Sequence, residues 1–480
     1  MILDIIQTIV NYGSSLPDQL CCMQIDSYCY NNIYIYKLDA HFSYSRYNVT
    51  QKVIKQNKFN RLEYLDCSGN ADIKNINHLA KTLNTLHCRS IVSDVGQQIK
   101  ISGIGQTSIS KLEKIKILDC SFNEKISDVN HLSETLEELY CCMYSVGGNG
   151  GGNEGISQNG ISKLKLKLLD CSNNYDIYDI SHMADTLEKL ICGGNTSINQ
   201  TSITPLTKLK KLDCSCNSNI TDVNHLSETL EILKCCDEIT QDGISKLLKL
   251  VELDCGYNMK LTNFNHLADT LEKLFCGHNA PGSQHGISAL TKIKELRCAP
   301  GINDVNHLAD TLEYLDCGNT DINQTGISKL KKLKTLLCHE KRKIYNVNHL
   351  ADTLEKLQCT GSFTGINQEG ISKLRKLKYL DCGHNSKINN VDHLKDTLEV
   401  LYCDGDSGIN QKGILKLKKI KCLNCHKNSK IKNVNHLSAT LEELGCRGSC
   451  GINQYGISKL KNLKKLDHHN NRKINMFSME

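Results

Sequence analysis

The sequence predicts an α/β solenoid, in which short repeats stack and each repeat adds one strand to a parallel sheet. Two observations predict this fold. The pattern Leu-x-x-Leu-x-Cys recurs from residue 62 onward, mostly at intervals of 19 to 23 residues, and each recurrence leads into a stretch with regularly placed isoleucine, valine and leucine. A repeat of this length cannot bury its apolar side chains alone, so neighbouring repeats must supply a continuous core.

Two types of repeat alternate, and residues 377–417 hold one of each. The A-type repeat carries Leu-Asp-Cys followed by Asn-His-Leu, and the B-type repeat carries Thr-Leu-Glu followed mostly by Gly-Ile-Ser-Lys-Leu. The cysteine slot fixes the register of nineteen repeats, the last of which has histidine there: Cys67, Cys88, Cys120, Cys141, Cys171, Cys192, Cys214, Cys235, Cys255, Cys276, Cys298, Cys317, Cys338, Cys359, Cys382, Cys403, Cys425, Cys446 and His468.

This pattern resembles the leucine-rich repeat, Leu-x-x-Leu-x-Leu-x-x-Asn/Cys-x-Leu, with cysteine in the third apolar position. The resemblance implies a horseshoe-shaped solenoid with a concave parallel β-sheet. We therefore expect one long domain over residues 62–480, with about 19 repeats, because a solenoid grows by adding neighbours and does not split into globular domains.

Composition bounds the partners. The chain of 480 residues has a net charge of +6, and its basic residues are interleaved with acidic ones. Such a balance leaves no electrostatic footprint for nucleic acid, so we expect no nucleic-acid partner. No stretch is apolar enough to span a membrane, and we expect neither a membrane partner nor a cofactor.

The 26 cysteines fit a reducing compartment better than a disulfide scaffold. Eighteen of them fill the inward-facing strand slot, where a small apolar side chain belongs. The first residues show no basic segment followed by an apolar one, which a secretory signal would need. We therefore expect a cytoplasmic protein with reduced thiols.

Residues 1–40 do not repeat, and their apolar spacing predicts a small helical domain. Asp4-Ile5-Ile6-x-x-Ile9-Val10, a turn, Asp18-x-Leu20 and Ile25-x-x-Tyr28-x-Tyr30 resemble a degenerate F-box without its usual Leu-Pro. Residues 41–61 read as a polar connection that ends in a partial first repeat. An alternative is that residues 1–60 only cap the stack, as every solenoid requires.

The F-box resemblance implies a substrate-recognition adaptor of a cullin-type ubiquitin ligase. Such a protein binds a Skp1-like adaptor, and through it the cullin complex, with its F-box, and binds an unknown target protein with its repeats. The Asn-, Ile- and Lys-rich repeats are also similar to repeat proteins of giant DNA viruses of the mimivirus kind, which implies the host cytoplasm. The residues that the resemblance assigns to adaptor binding are Ile5, Ile6, Ile9, Val10, Pro17 and Leu20. The rival interpretation is a stand-alone interaction scaffold with no link to a ligase.

Two surface patterns separate structural from binding positions. The residue after the first Leu is basic in most A-type repeats, such as Lys378, and Glu in most B-type repeats, such as Glu399, so opposite charges become neighbours and stabilise the register. The residue before the cysteine is usually Asp in A-type repeats but changes along the B-type repeats, which suits a recognition surface, although unconstrained drift would also explain it. The predicted target-binding residues on the concave face are Tyr64, His87, Tyr140, Lys234, Phe275, Tyr314, Tyr379 and Tyr402.

We expect no catalytic residues and no metal site. The Asn-His-Leu histidines recur once per A-type repeat, about 10 Å apart, which is too far for two of them to share a zinc ion. We assign them a structural hydrogen-bonding role, as we do the asparagines three positions after the A-type cysteines. Two B-type repeats are longer, and the glycine-rich insertion at 145–155 lacks the Gly-Lys-Ser/Thr of a phosphate loop. We interpret it as a flexible loop.

Overall fold

A computed structural model of the chain describes residues 34–40, 49–92, 99–143, 155–277, 283–318 and 320–475. The chain divides into two compact parts, an N-terminal block that ends at Lys249 and a C-terminal block that begins at Leu250. Each block is a stack of the repeats that the sequence predicts.

In the N-terminal block, nine short strands pair in parallel, each with the strand of the next repeat. One repeat carries an additional antiparallel hairpin of two strands, which flanks residues 93–98. In chain order, the nine strands and the two of the hairpin (β4 and β5) are β1 (Lys37–Asp39), β2 (Tyr64–Asp66), β3 (Thr85–His87), β4 (Ile91–Val92), β5 (Ile99–Lys100), β6 (Ile117–Asp119), β7 (Glu138–Tyr140), β8 (Leu168–Asp170), β9 (Lys189–Ile191), β10 (Lys211–Asp213) and β11 (Ile232–Cys236).

In the C-terminal block, eleven strands pair in parallel in the same way, and the central leucines of adjacent strands stand opposite each other. They are β12 (Glu252–Tyr257), β13 (Lys273–Cys276), β14 (Glu295–Arg297), β15 (Tyr314–Asp316), β16 (Thr335–Leu337), β17 (Lys356–Gln358), β18 (Tyr379–Asp381), β19 (Val400–Tyr402), β20 (Cys422–Asn424), β21 (Glu443–Gly445) and β22 (Lys465–Asp467).

The chain returns from one strand to the next through single helical turns. Asn-His-Leu forms a 3-10 turn in A-type repeats, and the Gly-Ile segment forms a short α-helix or a 3-10 turn in B-type repeats. The α-helices are α1 (Gln51–Ile54), α2 (Gln106–Ile109), α3 (Gln158–Ile161), α4 (Gln200–Ile203), α5 (Gln368–Ile371) and α6 (Gln454–Ile457). The 3-10 turns are Asn57–Phe59, Asn77–Leu79, Asn130–Leu132, Ser181–Met183, Asn224–Leu226, Asp242–Ile244, Asn265–Leu267, His285–Ile287, Asn306–Leu308, Thr325–Ile327, Asn348–Leu350, Asp392–Leu394, Lys412–Ile414 and Asn435–Leu437.

The core of each block is a set of stacked apolar columns. In the repeat of β18, Leu377, Leu380, Cys382, Ile388 and Val391 are all fully buried, which reproduces the apolar positions of the sequence pattern. Burying one leucine side chain contributes roughly 1.5–3 kcal/mol, but only where a neighbouring repeat covers it. These findings confirm the leucine-rich-repeat solenoid and the inward placement of the cysteine column.

Burial disfavours the thiolate form within that column. Burial raises the pKa of Cys359 to about 12 and that of Cys67 higher still. Buried thiols of this kind are poor nucleophiles and metal ligands, because both roles require the thiolate. The column therefore packs as a set of small apolar side chains.

The stack begins one repeat earlier than the sequence predicts. Strand β1 pairs with β2 through Leu38 and Leu65, and Ile35, Leu38 and Ala40 are buried at the Leu, Leu and Cys positions of the repeat pattern. The predicted boundary between a helical domain at 1–40 and a connection at 41–61 thus cuts through a repeat. Ile in place of the first Leu and Ala in place of Cys concealed the pattern.

Candidate functional site

Each repeat presents two side chains on what we call the strand face, which consists of the first and third residues of the strands. The leucine between them is buried, and the two flanking side chains are mostly half-exposed, as in Tyr379–Asp381. This arrangement follows from the strand, in which successive side chains point to opposite sides of the sheet. The strand face therefore collects two residues from every repeat.

The aspartate before the A-type cysteine is held by its own turn. Its Oδ1 accepts a hydrogen bond from the backbone N–H two residues later, at 2.9 Å for Asp66 and Ser68 and at 3.2 Å for Asp381 and Gly383. This bond stabilises the bend that ends the strand. The A-type aspartates that make it are Asp66, Asp119, Asp170, Asp213, Asp254 and Asp381.

Most B-type repeats have a residue other than aspartate at this position, and several of the predicted target-binding residues are among them. All eight of those residues lie on the strand face, in positions one or three of their strands. Tyr64, His87, Tyr140 and Lys234 belong to the N-terminal block, whereas Phe275, Tyr314, Tyr379 and Tyr402 belong to the C-terminal block.

One ring contact and one hydrogen bond involve aromatic residues on the strand face of the N-terminal block. The rings of Tyr64 and His87, on adjacent strands, have centroids 5.5 Å apart. Further along, the Tyr140 hydroxyl donates to Glu138 Oε2 at 3.0 Å, and burial followed by this bond raises the Tyr140 pKa to about 12. Both tyrosines therefore present neutral, partly apolar side chains.

The C-terminal block holds a larger aromatic cluster on β17 to β19. The Tyr379 and Tyr402 rings meet edge to face, with centroids 5.5 Å apart. The Lys356 ammonium lies 4.6 Å from the Tyr379 ring centroid, and Gln358 Nε2 donates to the Tyr379 hydroxyl at 3.2 Å. Burial raises the Tyr402 pKa to about 12. We refer to Lys356, Gln358, Tyr379 and Tyr402 as the tyrosine cluster.

Two carboxylates adjoin the tyrosine cluster. Burial raises the pKa of Asp381, and burial together with the Asp381 charge raises the pKa of Asp404 to about 6. Asp404 Oδ1 is inaccessible to solvent and has no hydrogen-bond partner. On the other side of Tyr402, a shallow depression follows the strand face. It is lined by Tyr402, Cys422, Leu423, Asn424, His426, Glu443, Leu444, Gly445, Lys465 and Asp467.

Another aromatic contact of the C-terminal block involves Arg297, which was not among the predicted target-binding residues. Arg297 replaces the usual aspartate of an A-type repeat, and its guanidinium lies 5.6 Å from the Phe275 ring centroid and 3.3 Å from Asp316. The departure from aspartate at this position was visible in the sequence.

The alternating charges at the start of the strands pair as predicted. Lys378 Nζ lies 2.8 Å from Glu355 Oε2, and Lys421 lies at the same distance from Glu399. Six further pairs of this kind occur: Lys116–Glu137, Lys167–Glu137, Lys210–Glu188, Lys294–Glu272, Lys334–Glu313 and Lys464–Glu442. Because these side chains are exposed, the pairs fix register more than they stabilise the fold.

The repeating polar residues away from the strand face are structural, which confirms two predictions. The Asn217 side chain donates at 3.1 Å to the carbonyls of Cys192 and Ile198 in the preceding repeat and accepts from Asn219 N–H at 2.9 Å. The His225 Nε2 lies 3.0 Å from the Ile203 carbonyl oxygen, also in the preceding repeat. Equivalent contacts recur through both blocks.

A third bridge was missed, although its motif is plain in the sequence. The glutamine of Ile-Asn-Gln reaches forward to the following repeat. Gln200 Oε1 accepts from the N–H groups of Thr221 and Asp222 at 3.1 Å, and its Nε2 donates to the Asp222 carbonyl at 2.9 Å. The recurrence of glutamine thus has a structural cause and does not indicate a binding site.

In the described part of the chain, no group of three or more His, Cys, Asp and Glu side chains is placed to hold a metal ion. Cys422 is partly exposed on the strand face while Cys425 is buried, so the Cys-x-x-Cys pair points apart, as predicted. None of the described residues belongs to a helix long and apolar enough to cross a membrane. The F-box-like residues Ile5, Ile6, Ile9, Val10, Pro17 and Leu20 lie outside the described ranges, as does almost all of the insertion at 145–155.

The stacked strands, the buried Leu and Cys columns and the asparagine at the end of the strand define a leucine-rich-repeat solenoid fold. Two leucine-rich-repeat proteins of known structure are similar to this chain. The functional domain of InlJ from Listeria monocytogenes, which includes a cysteine ladder, has 22% sequence identity and a TM-score of 0.43, over 78% of this chain and 74% of that one. TLR13 in its complex with ssRNA13 has 19% identity and a TM-score of 0.48, over 91% of this chain and 73% of that one. No protein-family model and no curated protein sequence matches the chain.

Proposed function

We propose that this chain is a protein-binding scaffold that holds its partner on the strand face. The observation that carries the proposal is the difference between the two repeat types at the position before the cysteine. In A-type repeats a hydrogen bond to the turn restrains the aspartate. In most B-type repeats the side chain differs from one repeat to the next and is half-exposed. Variation along one face of a regular scaffold suits recognition, because stacked repeats present an extended surface.

The tyrosine cluster is the proposed main anchor. Aromatic side chains bury a large area on binding and lose little conformational freedom, and they are enriched among the residues that dominate interface energies. Tyr379 and Tyr402 are already restrained by each other, by Lys356 and by Gln358. The strand face of the N-terminal block offers Tyr64, His87, Tyr140 and Lys234 as a second contact region, and Phe275 and Tyr314 extend the first.

Matched capture experiments test the proposal. Full-length chain with a photo-crosslinking amino acid at Tyr402 is compared with chain carrying the same group at Tyr345, which is exposed and lies outside the strands. We expect one crosslinked protein at Tyr402 that is absent at Tyr345. The Tyr379→Ala/Tyr402→Ala variant should lose this protein, whereas Tyr175→Ala/Tyr178→Ala should retain it.

Equal capture by both double variants would refute the assignment of the strand face. A ribonuclease arm separates a direct protein partner from one that is held through RNA. Loss of the captured protein after ribonuclease treatment would make nucleic acid the ligand and overturn both this proposal and the expectation of no nucleic-acid partner.

A second candidate function is the substrate-recognition adaptor of a cullin-type ubiquitin ligase, which the F-box resemblance of residues 1 to about 38 favours. In this function Ile5, Ile6, Ile9, Val10, Pro17 and Leu20 would bind a Skp1-like adaptor, and the strand face would hold the protein to be ubiquitinated. The same scaffold serves both functions. They differ only in what the residues before the first repeat bind.

Retention of a purified Skp1-like adaptor by the full-length chain distinguishes the two. We expect binding at micromolar concentration by the natural sequence and its loss in Ile5→Asp/Ile9→Asp, with an unchanged circular dichroism spectrum as the control for folding. Absence of retention by the natural sequence would leave the residues before the first repeat as a cap of the stack and the chain as a scaffold without a ligase.

A further inference from the structure

Two cysteines of the N-terminal block lie outside the buried column and next to each other. Cys216 follows the A-type core residue Cys214 by two positions, and Cys236 directly follows the B-type core residue Cys235. Their Sγ atoms are 3.6 Å apart. Cys216 is exposed and Cys236 is partly exposed, in contrast to the fully shielded thiols of the core column.

The local backbone explains this proximity. Strands β10 and β11 are adjacent and parallel, with Asp213 opposite Lys234. Beyond β10 the chain bends at Cys216, whose φ of 59° lies in the left-handed region, while β11 continues straight as far as Cys236. Other A-type repeats have the same bend with other side chains, such as Asn173. The neighbouring thiols therefore arise from two residue choices on an ordinary repeat.

We propose that Cys216 and Cys236 form a redox-active dithiol, a modification site at which hydrogen peroxide closes a disulfide across the two repeats. A disulfide has an S–S distance of about 2.05 Å. The two sulfurs must therefore approach by about 1.5 Å, a movement that rotation of the two cysteine side chains would supply. The site is separate from the tyrosine cluster and does not depend on the proposed function.

The chemistry proceeds in two balanced steps. The Cys216 thiolate attacks one peroxide oxygen, an S–O bond forms, the O–O bond breaks, and the departing hydroxide takes a proton to become water. The Cys236 sulfur then attacks the sulfenic sulfur, so that an S–S bond forms and the S–O bond breaks, and the second oxygen leaves as water with the Cys236 proton. The two thiols lose two electrons in all, which the peroxide accepts.

The difference in solvent exposure determines which of the two cysteines reacts with peroxide first. Burial raises the pKa of Cys236 to about 11, which leaves little thiolate at neutral pH to react with peroxide. Cys216 is the more exposed of the two and meets the oxidant first. Cys236 then acts as the resolving thiol, because attack on a sulfenic acid beside it is intramolecular.

The C-terminal block supplies a matched control. Cys425 and Cys450 have Sγ atoms 3.7 Å apart, nearly the same separation, but both side chains are fully buried. Peroxide cannot reach them in the folded chain. Comparison of the two pairs therefore tests exposure at constant distance.

The experiment treats reduced full-length protein with hydrogen peroxide, blocks the remaining thiols with N-ethylmaleimide and maps tryptic peptides by mass spectrometry. Trypsin cleaves after Lys211, Lys234 and Lys246, so peptides 212–234 and 235–246 separate unless a disulfide joins them. We expect the joined peptides, with the mass of two hydrogen atoms lost, to form at least roughly ten times faster than a Cys425–Cys450 link. Reduction with dithiothreitol should separate them again.

Variants identify the sulfurs, because these peptides also contain Cys214 and Cys235. Cys216→Ser and Cys236→Ser should each abolish the joined species while leaving the melting temperature of the reduced protein unchanged, and Cys450→Ser should leave the species in place. The proposal is overturned if the joined peptides persist in Cys216→Ser. It is also overturned if both thiols stay open to N-ethylmaleimide at a peroxide dose that oxidises the partly exposed Cys422.

Discussion

The residues that bridge one repeat to the next and the residues of the strand face obey different rules. Behind the strands, Asn217, Gln200 and His225 each bond backbone groups of an adjacent repeat, and the same residue types recur at these positions along the chain. On the strand face, Lys234 occupies a position where other B-type repeats have tyrosine, phenylalanine or glycine. A buried backbone group that needs a hydrogen-bond partner restricts which residue type can occupy the bridging position. At a half-exposed position the fold imposes no such restriction, so binding can determine the residue type.

Removal of one bridging asparagine should have the largest effect on stability. Asn217→Ala leaves two carbonyls and one N–H group without their partner, and an unsatisfied buried polar group costs about 1–3 kcal/mol. We expect a clear fall in the melting temperature of the N-terminal block with binding at the tyrosine cluster intact. Asn195→Ala, at an exposed position of the same region, serves as the control. Equal melting of the two variants would contradict the structural role of Asn217.

The bridging histidines should make the fold sensitive to acid. Burial lowers the pKa of several of them below the ordinary value of 6.5, despite the opposing hydrogen bond to a carbonyl: His78, His225, His307, His349, His393 and His436. The unfolded chain binds these protons more readily, so the stabilisation is complete above about pH 6.5 and is lost as the pH falls through the lowered pKa values.

Thermal melting between about pH 7.5 and pH 5.5 checks this dependence. We expect the melting temperature to decline over that interval and to decline less steeply in His436→Gln, which cannot titrate. The raised pKa values of Asp381 and Asp404 act in the opposite sense, because they favour the fold at lower pH. A slope that His436→Gln leaves unchanged would exclude the histidines as its source.

Substitution on the strand face should have the opposite effect to Asn217→Ala, with a small loss of stability and a large loss of binding. Tyr379→Ala/Tyr402→Ala removes an aromatic pair of a kind that contributes about 0.5–1.5 kcal/mol beyond its buried area, so we expect a smaller loss of stability than in Asn217→Ala. Partner binding, in contrast, should be lost. A variant that binds normally would remove the tyrosine cluster from the proposed interface, and calorimetry beside the crosslinking assay measures both quantities.

The charged pairs should give the smallest effect. Lys378 and Glu355 are 2.8 Å apart, with 57% and 43% of their side chains exposed, so solvent and salt screen their attraction. In a double-mutant cycle of Lys378→Gln and Glu355→Gln, we expect a coupling within the scatter of the melting data at physiological salt and a measurable one at low salt. A large coupling energy that salt does not alter would show that this pair stabilises the fold as the bridging residues do.

The sequence alone was sufficient to predict the features that recur in every repeat. The Leu, Cys, Asn and His columns were assigned correctly because nineteen copies of one pattern average out local exceptions, and the charge pairing followed from register alone. The repeat of Ile35 escaped notice because Ile35 and Ala40 preserve the apolar character of the pattern but not its letters. The glutamine of Ile-Asn-Gln recurs as plainly as the asparagine and histidine, but the sequence does not show that its side chain reaches forward to the backbone of the next repeat.

The strand face was predictable as a surface but not as a site. The sequence placed Tyr379 and Tyr402 on neighbouring strands in positions that differ by two residues, and only their rotamers bring the rings together. Likewise, Lys341 occupies the position of a bridging asparagine and sends its ammonium to the Thr320 carbonyl. The bridging asparagines instead donate to the carbonyls of the cysteine and isoleucine of the preceding repeat, as Asn217 does to Cys192 and Ile198, and no pattern of residue types shows that the lysine takes a different partner.

The two repeat types make different hydrogen bonds to their neighbours, and this limits how such a chain can change its length. In A-type repeats the asparagine and histidine reach back to the repeat before, and in B-type repeats the glutamine reaches forward to the repeat after. Loss or duplication of a single repeat would set two of the same type side by side, so that a junction of two A-type repeats lacks the glutamine bridge and a junction of two B-type repeats lacks the asparagine and histidine bridges. Gain or loss of an A–B pair restores every contact. The pair, and not the single repeat, is therefore the module by which a lineage or a designer could lengthen the molecule without a structural penalty at the joint.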